Sequence, residues 1–255
     1  MASSVVTYGI LLLAVLVAIL FFVGYRFATE AELRSRQERT SERVALKMSL
    51  VIFFGATWWS LGGTLASMGL LLDFDRRPPV MFLLVGFGVL SAVVLGVTSI
   101  GRAFAKWVPL SALVLSQSFR LPLELVMHRA QAEGVMPPQL SYSGMNFDIL
   151  TGTFALLLGI WLVLGGAPRA VVWAWNLLGM GMLSMIAFIA IASTPQVAFF
   201  GSEPRFINSW VGHVPFVWLP TVLVPFAVFG HTVVTRALLS AGQRKRKDRV
   251  TRHYL

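Results

Sequence analysis

Long apolar runs alternate with short polar stretches along almost the whole chain. Their lengths predict seven membrane-spanning helices, at about residues 5–25, 49–72, 79–101, 107–128, 148–166, 170–193 and 214–238. A helix rises about 1.5 Å per residue, so runs of this size match the roughly 30 Å hydrocarbon layer of a bilayer. A large soluble core of helices would need polar faces, which most of these runs lack. The pattern therefore predicts an all-α, polytopic transmembrane helix bundle over residues 1–240, followed by a basic tail at 241–255.

The polar stretches supply detail. "MASSVVTYG" has no positive residue ahead of the first run and Arg26 follows it, so that run reads as a retained anchor with its N-terminus outside. Residues 28–47 carry a capping-box pattern, Thr29 with Glu32, and the four-residue pairs Glu30–Arg34 and Glu32–Arg36. They predict a solvated cytoplasmic helix prolonging the first span, with a protein partner as one use for it. The tail "GQRKRKDRVTRH" predicts a poorly ordered segment near anionic lipid at the cytoplasmic face.

Composition agrees with the pattern. The chain is 56% hydrophobic and only 13% charged, about half the charge of an ordinary soluble domain. The absence of cysteine excludes disulfides, thiolate-held clusters and covalent haem. The net charge of +10 would suggest nucleic acid in a soluble protein; here the distribution assigns it to the membrane instead. With seven spans and an outer N-terminus, the outer Lys and Arg residues are Arg76, Arg77, Arg129 and Arg205, and Arg120 lies inside a span. The remaining 16 of 21 (21 − 4 − 1) fall on the cytoplasmic side, as the positive-inside rule requires.

The fourth span holds the chemistry that the bilayer does not explain. Ser116, Arg120, Glu124 and His128 recur every four residues and form one helical stripe. Counting from Trp107 puts Arg120 about 20 Å across the layer and His128 about 31 Å across. Pro122 removes a backbone donor and frees the Ser118 carbonyl, predicting a kink there. Intramembrane charges face the bundle interior and find partners. The topology places Asn146, Asp148, Glu203, Arg205, Asn208 and His213 at the same outer end. Asp148 also suits the N-cap of the fifth span. Arg120, Glu124, His128, Asn146, Asp148, Glu203, Arg205 and His213 are thus the candidate ligand-binding set. In the last span, Pro220 and Pro225 predict a broken helix, and such helices often line transporter sites.

Cofactors find little support. His128, His213, Asp148 and Glu124 are suitable metal ligands, but no local metal signature joins them. His213 and His231 lie at opposite depths, so one haem cannot use both. The four lysines, Lys47, Lys106, Lys245 and Lys247, lie outside the spans, which removes covalent retinal. No metal or cofactor is expected, and no nucleotide loop or serine-hydrolase elbow is present.

"FRLPLELVMH", "MNFDILTG" and "FVWLPTVLVPFAVFGH" resemble segments of a group of uncharacterised bacterial multi-pass membrane proteins, over roughly residues 50–240. The resemblance implies a bacterial inner-membrane protein and carries no activity. The residues themselves favour a polar, outward-facing pocket that binds, senses or moves a small polar or anionic solute. Two alternatives stand beside it: a structural or regulatory subunit docking through 28–47, and a membrane-embedded enzyme using Glu124, His128, Asp148 or His213.

Overall fold

A computed structural model describes residues 2–38 and 40–253, with the side chains of all of these but Thr40 and 241–253. The tail side chains, and the anionic-lipid role expected of them, lie outside the described residues. The described residues contain helices and no strand: α1 (Ser4–Ser35), α2 (Thr40–Ser67), α3 (Val80–Val97), α4 (Ser99–Trp107), α5 (Leu110–Leu115), α6 (Arg120–Ala132), α7 (Asp148–Leu164), α8 (Arg169–Ala192) and α9 (Val224–His253). Among them, six helical stretches are long and apolar enough to cross a membrane, and Asp148–Leu164 is a shorter apolar helix. The chain is a multi-pass membrane protein by this measure.

Side-chain and backbone ties define two ends of the bundle. At one, the Ser3 backbone N–H donates to Glu133 at 2.8 Å. There too, Gln139 Nε2 donates to the Phe206 carbonyl at 2.7 Å, and Gln196 bonds the Phe74 carbonyl. At the other end, Trp107 Nε1 donates to Glu32 at 2.7 Å and Arg169 bonds the Leu238 carbonyl. Arg236 ties the α3–α4 junction by donating to the Gly96 and Thr98 carbonyls at 3.1 and 2.9 Å.

Several boundaries differ from the sequence reading, each for a physical reason. The expected helix over 28–47 is two pieces: α1 continues to Ser35, the chain turns at Arg36–Gln37, and α2 begins at Thr40. Thr29 is buried inside α1 and caps nothing. The Glu30–Arg34 and Glu32–Arg36 pairs do form, at 3.6 and 2.8 Å. The span expected over 79–101 stops at Thr98, after which α4 turns its small and apolar Gly101 and Phe104 inward. The fourth span is not one helix either. A 3-10 turn at Ser116–Phe119 separates α5 from α6, immediately before Pro122, where the continuous ladder would fail.

The last span begins late. Pro215 lies in a turn rather than starting a helix, and a π turn at Leu219–Leu223 holds Pro220. Pro225 falls in the first turn of α9, where a missing N–H is tolerated. It still leaves the Thr221 carbonyl without its helical donor, and Trp58 Nε1 supplies one at 2.9 Å. Trp59 stacks on Trp218 with centroids 4.4 Å apart. The α2 tryptophans thereby hold the break ahead of α9.

Candidate functional site

The stripe on α6 meets the 139–148 segment, and the meeting is specific at each turn. Arg120 Nη1 donates to Asp148 Oδ1 at 3.1 Å. One turn on, both Glu124 carboxyl oxygens lie 2.9 Å from Asn146 Nδ2. A further turn on, His128 Nδ1 lies 3.1 Å from Ser141 Oγ and its ring stacks on Tyr142. Ser116 stays local, donating to the Leu113 carbonyl at 2.8 Å.

Asn146 organises the segment. Its Oδ1 accepts the Asp148 backbone N–H at 3.1 Å, and its Nδ2 also reaches the Leu140 carbonyl at 3.1 Å. Asp148 is the first residue of α7 rather than the cap expected for it. There a negative charge suits the helix N-terminus, and its carboxylate faces Arg120. Gly152, one turn along α7, makes the approach possible. A Cβ at that position would meet the backbone N of Leu121 and lie 3.0 Å from the Cβ of Arg120.

The cluster lies in the interior of the bundle. Arg120, Glu124, Asn146 and Asp148 are all buried, and so are Gln139, Leu140 and Ser141 above them. Gln139 Nε2 pins that cover to Ser193 Oγ at 2.8 Å. Beneath it lies a cavity of about 40 Å³. Arg120, Glu124, Asn146 and Asp148 form its polar wall, and Phe119, Leu123, Met127, Leu183, Leu219 and Leu223 lie among its apolar neighbours. Such a volume holds about three water-sized groups.

Arg120 is incompletely satisfied. Among the described residues, its Nε and Nη2 have no hydrogen-bond partner, although both atoms are buried. A buried donor left unmade costs free energy, more so when the group is charged. The free atoms form one edge of the guanidinium, the edge whose parallel N–H groups match a carboxylate or phosphate oxygen pair.

The other candidates lie elsewhere. Glu203 pairs with Arg205 at 2.9 Å, with side chains 63% and 69% exposed, and Arg205 rests on Phe206. His213 is exposed beyond the end of α8 and its following loop. Asn208 is buried but serves the Ala190 carbonyl at 3.2 Å. None of these joins the Arg120 cluster.

One part of the interior was missed by the sequence reading. From the π turn into α9, Leu223, Ala227, His231 and Thr235 recur at four-residue steps; the first two line the cavity and His231 follows it inward. Asn176 Nδ2 donates to Thr235 Oγ1 at 2.7 Å, so its Oδ1 accepts from His231 Nδ1 at 2.9 Å. That leaves His231 Nε2 bare, buried and without a partner among the described residues. Gly179 leaves room for the ring, since a Cβ there would strike it. The four-residue spacing was a legible signal, but in sequence His231 was weighed only beside His213 as a haem ligand. No known protein-family model, characterised protein or solved structure matches the chain.

Proposed function

We propose that this chain is a seven-span protein of the bacterial inner membrane, N-terminus outside and C-terminus inside, whose buried α6–α7 cluster binds a small anionic solute. Counting α7 as a span supports the parity, because its 17 residues extend about 25 Å. Arg26, Arg34, Arg102, Lys106, Arg169 and Arg236 gather at the Glu32–Trp107 end, which supports that end as the cytoplasmic one.

The observation that carries the functional reading is the free edge of Arg120. A structural ion pair would satisfy its guanidinium on all sides, because unpaired charge in a low-dielectric interior is expensive. Here one nitrogen is bonded and two are not, beside a cavity that admits a small group. Asp148 holds the guanidinium in place, the 139–148 segment closes over it, and the π turn forms the wall opposite.

Thermal unfolding of the purified chain with formate, nitrate, chloride and neutral formamide tests this. At least one anion should raise Tm saturably and formamide should not. Arg120→Lys, which keeps the charge but lacks the planar edge, should stay folded and lose the shift. If no anion shifts the wild type, or the lysine variant shifts equally, the proposal fails.

A further inference from the structure

Resting on that anion reading, the way Glu124 is held narrows both the solute and its companion. Asn146 is fixed in orientation, because its Oδ1 accepts from the Asp148 N–H. Of the two hydrogens on its Nδ2, one serves the Leu140 carbonyl. The other is shared between both Glu124 oxygens at 2.9 Å. A carboxylate offers about four acceptor sites, so a single shared hydrogen solvates this one poorly. Burial of a full charge on those terms is unfavourable.

The surroundings decide what happens when an anion reaches Arg120. From α6 itself, Arg120 lies one turn back and His128, engaged by Ser141 and Tyr142, lies one turn on. From α7, Asp148 acts on Glu124 as a like charge. From α9, His231 is within electrostatic reach of Arg120. The described side chains that α1 and α8 pack here are apolar, Val6 and Ile10 from one and Leu183 and Ile186 from the other. Arg120 is therefore the one strong positive charge, and Asp148 already neutralises it. An arriving anion would leave three negative groups on one guanidinium.

Asp148 cannot yield without breaking the ion pair. Glu124 can. With a proton on one oxygen it still accepts from Asn146 on the other, and the cluster's charge is restored. We infer that the solute is a small monocarboxylate or similarly flat oxyanion, and that it binds together with one proton carried by Glu124. The proton comes from water and joins a Glu124 oxygen; no bond within the solute changes. The free Nε and Nη2 edge suits two coplanar oxygens, and walls such as Leu123, Met127, Leu183 and Leu223 suit a short hydrocarbon end. A dianion would need more donors than the site offers.

Calorimetric titration of the full chain with sodium formate, in two buffers of different ionisation enthalpy, reads the protons taken up. As pH rises, formate affinity should fall by about tenfold per pH unit wherever uptake approaches one proton. Glu124→Gln should bind formate with no uptake and a flat pH profile; if it does not fold, the wild-type profile decides alone. Formate binding without uptake at any pH overturns the proton coupling and leaves the anion reading standing. Chloride binding as tightly as formate overturns the flat-oxyanion class. Absence of any formate binding, with chloride or nitrate still bound, overturns the inference alone, and absence of all three overturns both.

Discussion

Glu32 and Arg120 are ionic groups at opposite ends of the bundle, held in opposite ways. Glu32 receives Arg36 at 2.8 and 3.0 Å, Trp107 at 2.7 Å and Lys106 at 3.3 Å, although its side chain is 25% exposed and water is within reach. Arg120, only 1% exposed, has a single bonded partner at 3.1 Å. Supply of partners runs against need. The surplus around Glu32 has a mechanical result, since Lys106 and Trp107 tie α4 to α1. The deficit around Arg120 leaves the Nε and Nη2 edge of its guanidinium bare in the interior, which is what the proposed anion would fill. Counting ion pairs would have ranked these two sites the wrong way round.

Breaking the buried pair should have the largest effect. Asp148→Ala leaves Arg120 buried without its counter-charge and should cost about 3–5 kcal/mol in unfolding measured by denaturant titration in detergent. A loss as small as that of an exposed pair would show that water reaches the cluster. Gly152→Ala keeps every charge but puts a methyl group against Leu121 and Arg120. It should cost about 1–3 kcal/mol by overpacking, with anion binding weakened because Arg120 is displaced.

At the basic end the changes should be slight. Glu32→Gln should cost less than about 1 kcal/mol, and the loss should shrink further in high salt. Glu133 offers the smallest effect and a pH test. Its carboxyl is held below the usual carboxylate range by Ser3 first and then by Arg129. A depressed carboxyl stabilises the fold above its unfolded pKa of about 4.3 and loses that contribution as pH falls through its lowered value. Amide exchange in the first turn of α1 should therefore quicken on acidification relative to the rest of that helix. Glu133→Gln should abolish the difference.

Much of the frame was legible in the chain, and the reasons are specific. Apolar length marks a helix in lipid because the backbone has no other way to bond there, so the six long helices were readable in place, although α1 runs on to Ser35 past the expected 25 and α2 starts at Thr40 rather than 49. The four-residue recurrence of Arg120, Glu124 and His128 showed that they share a face, and Asp148 and Asn146 were legible as neighbours from topology. What was not legible depended on tertiary contact. Thr29 looked like a helix start because a capping pattern is local, whereas α1 continued through it on packing. Glu203, Arg205 and His213 lay at the right end of the bundle but face away from the cluster, and depth alone does not specify direction. His231 lacked a visible partner because Asn176 lies 55 residues away in sequence.

The central claim is that the Nε and Nη2 edge of Arg120 is the binding surface. The most direct measurement is the ¹⁵N resonance of Arg120 Nε in labelled protein, assigned by comparison with Arg120→Lys and followed through a formate titration. The account predicts a saturable change in that resonance, with the proton moved as a new charge-assisted hydrogen bond would move it, while the arginines at the Glu32 end stay still. A resonance that remains unchanged while formate binds would place the anion elsewhere and contradict the account.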